Sequence, residues 1–203
     1  TSLGKKTLKR EGFDKREKTF SLGNFTIDET FTYDIEFFRI VSHEVKEKES
    51  MKLANATWPQ VETYLKTKQT LIIPIGSTEQ HGPTGLIGTD YVTAQAISEA
   101  AGEKLGVYVA PPICYGMALH HMAFPGSAAL KPSTLLLVTR DVIESFKQHG
   151  FKQMIFVNGH GGNIPTVTSA FSEVKTGEDT TRLELINWWR LEEVEAYEQK
   201  HFG

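Results

Sequence analysis

The sequence predicts an α/β fold: three α/β/α layers around a mainly parallel, doubly wound sheet. Two observations predict it. Short apolar runs ("TLIIPIG", "VYVAPP", "QMIFVNG" and "RLELINWW") alternate with longer stretches of helical composition from residue 57 onward, and strands alternating with helices in this way build parallel sheets. The two most unusual loops, "GSTEQHGPTGLIGTD" and "NGHGGN", each follow one of those runs. That puts both at the carboxyl edge of the sheet, where open α/β sheets bind ligands.

Taken in chain order, residues 1–19 mix both charge signs with few large apolar groups and read as a solvated tail. Residues 20–45, "FSLGNFTIDETFTYDIEFFRIVSHEV", are rich in Phe, Thr, Ile and Tyr and read as two strands separated near Asp28 and Glu29. His43 and Glu44 begin a zinc-helix pattern, but Glu47 stands where the second histidine is needed. Met51 is a candidate start, so residues 1–50 read as an N-terminal extension with a charged tail and strands.

Thr57 and Gln60 fit a capping box with Pro59 in the first turn, which predicts a helix over 57–67. A strand follows over 70–76, a helix over 91–105 and a strand over 107–112. Ser133 is the expected cap of a helix ending at His149 and Gly150. Residues 153–159 read as a strand, 165–175 as a helix, 182–189 as a strand and 191–200 as a last helix. Glu192, Glu193, Glu195 and Glu198 of that helix read as a solvated face. Trp188 and Trp189 end a strand, so alternation sends one to the core and the other to a pocket wall.

The 203 residues are 39% hydrophobic and carry a formal charge of -3, which gives no global basic surface for a nucleic-acid partner. No apolar stretch reaches the roughly 18 to 20 residues that cross a bilayer, so no membrane anchor or signal segment is expected. The single cysteine, Cys114, cannot form an internal disulfide, which fits a cytoplasmic setting. No neighbour lowers its pKa in the sequence pattern, so it reads as a small buried group rather than a nucleophile.

The chemistry gathers in the two loops. Residues i and i+2 of an extended segment share a side, so Glu79 and His81 approach one place while Gln80 points away. Glycines 82, 85 and 88 let the loop fold back and bring Asp90 to the same place. His160 stands between Gly159 and Gly161 in the second loop. Taken singly, Glu79 and Asp90 read rather as helix caps or acceptors of backbone bonds in a long loop, and His160 reads equally as a histidine bonded to a carbonyl. Together, two carboxylates and two imidazoles at one sheet edge suit Zn²⁺, Mn²⁺ or Fe²⁺ better than the all-oxygen shells of Ca²⁺ or Mg²⁺. The tandem His120 and His121 follow the 107–112 strand and reach the same edge, to bind substrate or orient a ligand.

"GSTEQHGPTGLIGTD", "HHMAFPGS" and "NGHGGN" together resemble the signature segments of the creatininase (creatinine amidohydrolase) family, over residues from about 53 to 189. The resemblance implies a metal-dependent hydrolase of C–N bonds in small, often cyclic molecules. It also implies a homo-oligomer, commonly a hexamer. Glu79, His81, Asp90 and His160 fall on its metal-ligand places, with Asp90 on that of a carboxylate bridging two ions, and His121 would stabilise an oxyanion. The chain departs in two places. Gly162 stands where creatininase proper has a glutamate, so creatinine is not the expected substrate. A C-terminal segment that supplies a further acid in many relatives is also expected to be missing from residues 51–203. With that acid missing, the second ion should be weakly held. The rival expectation is a non-catalytic relative that keeps the fold for assembly or binding.

Overall fold

The computed structural model describes residues 13–14, 19–22, 25–28, 50–175 and 179–202. The chain divides into two compact units, Thr1–Glu49 and Ser50–Gly203. In the first, strands β1 (Phe13–Asp14), β2 (Thr19–Leu22) and β3 (Phe25–Asp28) form an antiparallel sheet in that order. The strand expected up to Asp28 is therefore a hairpin. Leu22 pairs with Phe25. The second expected strand, with His43 and Glu44, lies outside the described residues.

The second unit runs α1 (Trp58–Leu65), β4 (Thr70–Ile75), α2 (Thr89–Leu105), β5 (Tyr108–Val109), α3 (Pro132–Gln148), β6 (Gln153–Asn158), α4 (Ile164–Val174), β7 (Arg182–Asn187) and α5 (Glu192–Phe202). Its four strands are all parallel and lie in the order β5-β4-β6-β7. The order reverses between β4 and β6, the switch point where such sheets open a crevice at their carboxyl ends. The three-layer, doubly wound α/β expectation holds.

Alternation along β4 divides the core. Leu71, Ile73 and Ile75 pack with Leu135 and Ile143 of α3, Val167 and Phe171 of α4, and Val61 and Tyr64 of α1. Ile72 faces the other way, with Ala94 of α2, Val109 and Val157. β4 is buried on both faces, as a central parallel strand must be. The Pro74 carbonyl accepts from Ile113 N at 2.9 Å.

Three elements depart in detail from the sequence reading. Lys131, not Ser133, precedes α3, because Pro132 takes the first helical position for which its ring is pre-set. β5 has only two residues, since Pro111 and Pro112 lack the N–H that would extend its ladder. β7 stops at Asn187, and Trp188–Arg190 turn into a 3-10 helix. Both tryptophans are half-buried, Trp188 against the α2 side of the core, so strand alternation does not sort them. The four glutamates of α5 are exposed, as expected of a solvated face.

α2 is held to the sheet by small residues rather than by an apolar stripe. Its buried positions are Asp90, Ala94, Ser98 and Gly102, one every four residues. A Cβ on Gly102 would lie 2.5 Å from Val109 Cγ2 and 2.7 Å from the Val107 carbonyl oxygen. Gly102→Ala should therefore overpack this contact and lower stability by about 1–3 kcal/mol in urea unfolding. Gly161→Ala, with nothing within 4 Å of the added carbon, should change it by less than about 0.5 kcal/mol. Equal effects would show that the contact of α2 with the sheet is not tight.

Candidate metal centre

β4 and β6 end side by side, Ile75 paired with Asn158, and each runs into a glycine. A Cβ on Gly76 would lie 2.3 Å from Tyr91 N, and one on Gly159 would lie 2.1 Å from the Asp90 carbonyl oxygen. Both glycines are needed for the first turn of α2 to come down onto the strand ends. The preceding loop folds back as its glycines require. Gly82 has φ 75°, a Cβ on Gly85 would strike the His81 backbone at 2.1 Å, and Glu79 N donates to the Ile87 carbonyl at 2.9 Å. Asp90 thus lies beside Glu79 despite eleven residues of separation, in a helix first turn that favours an acid.

Glu79, Asp90 and His160 are about 95% buried. Each offers one ligand atom within 4.8 Å of the others. His160 Nδ1 lies 3.2 Å from Glu79 Oε1 and 3.1 Å from Asp90 Oδ2, while Glu79 Oε2 accepts from the Ser77 hydroxyl at 2.8 Å. His81 Nε2 lies 2.9 Å from the other Asp90 oxygen, Oδ1. His121 Nε2 lies 3.4 Å from Glu79 Oε1. The structure brings together all five residues singled out in the sequence. His120 stacks at 5.9 Å on His160 and lies 4.2 Å from the His121 ring.

Proton positions follow from the outer partners. His160 Nε2 sits 3.0 Å from the Met117 carbonyl and His81 Nδ1 sits 3.2 Å from the Glu79 carbonyl, and a carbonyl only accepts. Each ring therefore gives one N–H to the backbone, and its other nitrogen faces an Asp90 oxygen. Asp90 Oδ2 is buried 3.1 Å from His160 Nδ1. A ring nitrogen this close to a carboxylate oxygen calls for a positive charge between them, a proton or a metal ion. Burial opposes a proton on His160, but the Asp90 carboxylate, the Met117 carbonyl and the Glu79 charge outweigh it and raise the histidine's pKa. A divalent ion meets the same demand with donors of the right type, and ligating histidines characteristically give their other N–H to a carbonyl. The carbonyl-bonded reading of His160 holds, and that bond leaves Nδ1 directed at Glu79 and Asp90.

Asparagines tie the loops together. Asn158 and Asn163 are fully buried. Asn158 Nδ2 donates to the His160 carbonyl and to Asn187 Oδ1, both at 2.8 Å, and its Oδ1 accepts from His160 N at 3.1 Å. Asn163 Nδ2 donates to the Gly76 carbonyl at 2.9 Å, and its Oδ1 accepts from Met117 N at 2.9 Å. Sequence reasoning gave these residues no task, although buried amides at both ends of a glycine-rich loop were a usable signal. It missed Ser77 as well, and it placed Gln80 wrongly. Gln80 does not point away: its Nε2 lies 2.9 Å from His121 Nδ1, because the chain turns at Gly82 and is not extended there. Cys114 is half-buried, and burial pushes its thiol pKa up, against a nucleophilic role.

Comparison with known proteins points to one family. The family model for creatininase, described as creatinine amidohydrolase, matches residues 54–203. A 3-dehydro-scyllo-inosose hydrolase of Thermotoga maritima is 36% identical over 121 residues, 58% of this chain and 39% of that protein. A mycofactocin precursor peptide peptidase of Mycolicibacterium smegmatis is 35% identical over 106 residues, 49% of this chain and 42% of that protein. The chain thus matches less than half the length of these two curated relatives. A crystal structure of creatinine amidohydrolase has a TM-score of 0.69 at 21% sequence identity, covering 75% of this chain and 63% of that one. Similar creatininase structures include a Zn-Zn type and an Mn form. At such identity the likeness shows the α/β fold.

If the buried carboxylates are there to hold a cation, removing one should not weaken the metal-free protein. Glu79→Gln should leave the metal-free melting temperature at or above that of the unaltered chain. It should also abolish the rise that Zn²⁺ produces, which mass action sets at about 2.7 kcal/mol when the ion is at a hundred times its Kd. Differential scanning calorimetry with and without chelator checks this. A clear loss of metal-free stability with an intact Zn²⁺ response would make Glu79 a structural acid.

Proposed function

This chain belongs to the creatininase family, and from that membership we propose that it is a metal-dependent amidohydrolase. It would open an amide or cyclic-amide C–N bond in a small polar molecule other than creatinine. The observation that supports this most is Asp90, buried with each carboxylate oxygen facing a ring nitrogen of a different imidazole. Glu79, Asp90 and His160 would hold one ion, and His81 with Asp90 part of a second. The mixed nitrogen and oxygen donors suit Zn²⁺ first, with Mn²⁺ and Fe²⁺ as alternatives.

A bound ion of this kind supplies a Lewis acid that polarises a carbonyl and acidifies water toward neutral pH. The chain's own residues do the rest. The Ser77 hydroxyl holds Glu79 in one orientation. The Met117 and Glu79 carbonyls fix the rings of His160 and His81. His121, partly exposed beside them, offers an N–H to a substrate oxygen on which negative charge develops.

The limit to non-peptide bonds rests on the family resemblance and the exclusion of creatinine on Gly162, while one relative's name is that of a peptide peptidase. The test panel therefore includes cyclic amides, formamides, amidines, creatinine and short peptides, with each ion added back to metal-free protein. Turnover of peptides alone would remove the small-molecule reading. Absence of metal uptake would favour the binding-protein alternative. The hexameric assembly implied by the resemblance remains a proposal, checked by light scattering.

A bridging Asp90 leads to a ranking of variants. Asp90→Asn should lower total bound metal, measured by elemental analysis of protein purified without chelator, more than His81→Ala does. Equal and small losses would exclude the bridge.

A further inference from the structure

Three imidazoles stand within reach of the two buried carboxylates, and they are not equivalent. His81 and His160 each have one ring nitrogen on a backbone carbonyl and the other on Asp90. Among the described residues the His121 ring meets no carbonyl; its Nδ1 faces the side-chain amide of Gln80 at 2.9 Å. The orientation of that amide is set from outside, because Gly82 N donates to Gln80 Oε1 at 2.8 Å. An amide oxygen occupied by a backbone N–H leaves the NH₂ group facing His121. A donor at Nδ1 makes that nitrogen the acceptor and leaves the proton of a neutral ring on Nε2.

We propose that Gln80 is a positioning residue that fixes His121 as an Nε2–H donor, so that His121 is the proton-bearing imidazole of the site and not a third imidazole ligand. The chain of bonds starts at a backbone N–H (Gly82), passes through the Gln80 amide and the His121 ring, and ends 3.4 Å from Glu79 Oε1. That last gap is longer than a good N–H···O bond. The proton is therefore aimed at the carboxylate without being consumed by it, and a substrate oxygen entering beside Glu79 can take it. Gln80 itself is anchored, its N–H donating to Ser127 Oγ at 3.2 Å. The loops after β4 and β5 therefore hold the pair from both sides.

This assignment rests on the hydrolase reading for its purpose, but its test does not. Isotope-labelled histidine in the metal-free protein should show His121, identified by its loss in His121→Asn, with a proton on Nε2 and a lone pair on Nδ1. With NMR-active cadmium loaded in place of zinc, through-bond coupling to ring nitrogens should appear at His81 and His160 and be absent at His121. Gln80→Glu keeps an acceptor for Gly82 N but turns a second acceptor onto the ring, so His121 Nδ1 should gain a proton. Coupling of cadmium to His121, a proton on Nδ1 in the unaltered chain, or an unchanged ring in Gln80→Glu would each overturn the proposal. A protein that takes up no cadmium yet shows the expected His121 ring would sink the metal reading and leave this one standing.

Discussion

The first turn of α2 rests on Gly76 and Gly159, the residues with which β4 and β6 end, and a Cβ at either would collide with backbone at 2.3 or 2.1 Å. Every distance at the carboxyl edge depends on that approach. It is made possible from the far end of the same helix, where Gly102 and the small residues one and two turns nearer let α2 lie close to the sheet. Because Asp90 is carried on a rigid helix and not on its loop, its carboxylate is delivered to the switch point with the precision of packed backbone. The loop between Glu79 and Asp90 then needs only to span the gap, which its glycines allow.

What arrives there is costly without a counter-charge. Two carboxylates and a histidine, each about 95% buried, face one another with an unpartnered oxygen among them, and buried charge is tolerated only when paired or bound to a cation. The surroundings do little to relieve the cost. Ser77 gives Glu79 one donor, while the Met117 and Glu79 carbonyls each take one N–H of the two imidazoles and leave the other ring nitrogen to Asp90. A positive charge between the ring nitrogens and the carboxylates, a proton or a metal ion, offsets that cost.

Most of the fold was legible because the period of apolar residues and the helix signals agreed at each element, and the order of strands and helices left few topologies. The exceptions have local causes: Pro132 outcompeted Ser133 for the start of α3, and Pro111 and Pro112 cut β5 short. The site was legible in its residue types, since glycine-rich loops after β4 and β6 had to meet at the switch point. Its support was not. Alternation placed Gln80 outside the site, and the turn at Gly82 brought it back against His121. Asn158 and Asn163 acquire their meaning only when four loops are seen to converge on them, because a side-chain amide satisfying distant backbone leaves no period in the sequence.

Gly162 shows how one departure from the resembled pattern propagates. A Cβ there would lie 2.4 Å from both His160 Nε2 and the Met117 carbonyl, the two partners of the bond that turns His160 toward the carboxylates. The glycine expected to distinguish this chain from creatininase proper is thus also the residue that leaves room for this histidine geometry. A glutamate at 162 could not simply be added to the ligand set, because its first carbon would break the bond that orients His160. The His160 ring and the Met117 segment would have to move together. Conversely, glycine at 162 leaves the second ion with one carboxylate, shared with the first, and one imidazole among the ligands assigned to it here. That is fewer than the three protein ligands usual for catalytic zinc. Any further ligand must come from elsewhere than the 159–163 loop, and the tautomer of His121 argues against that ring.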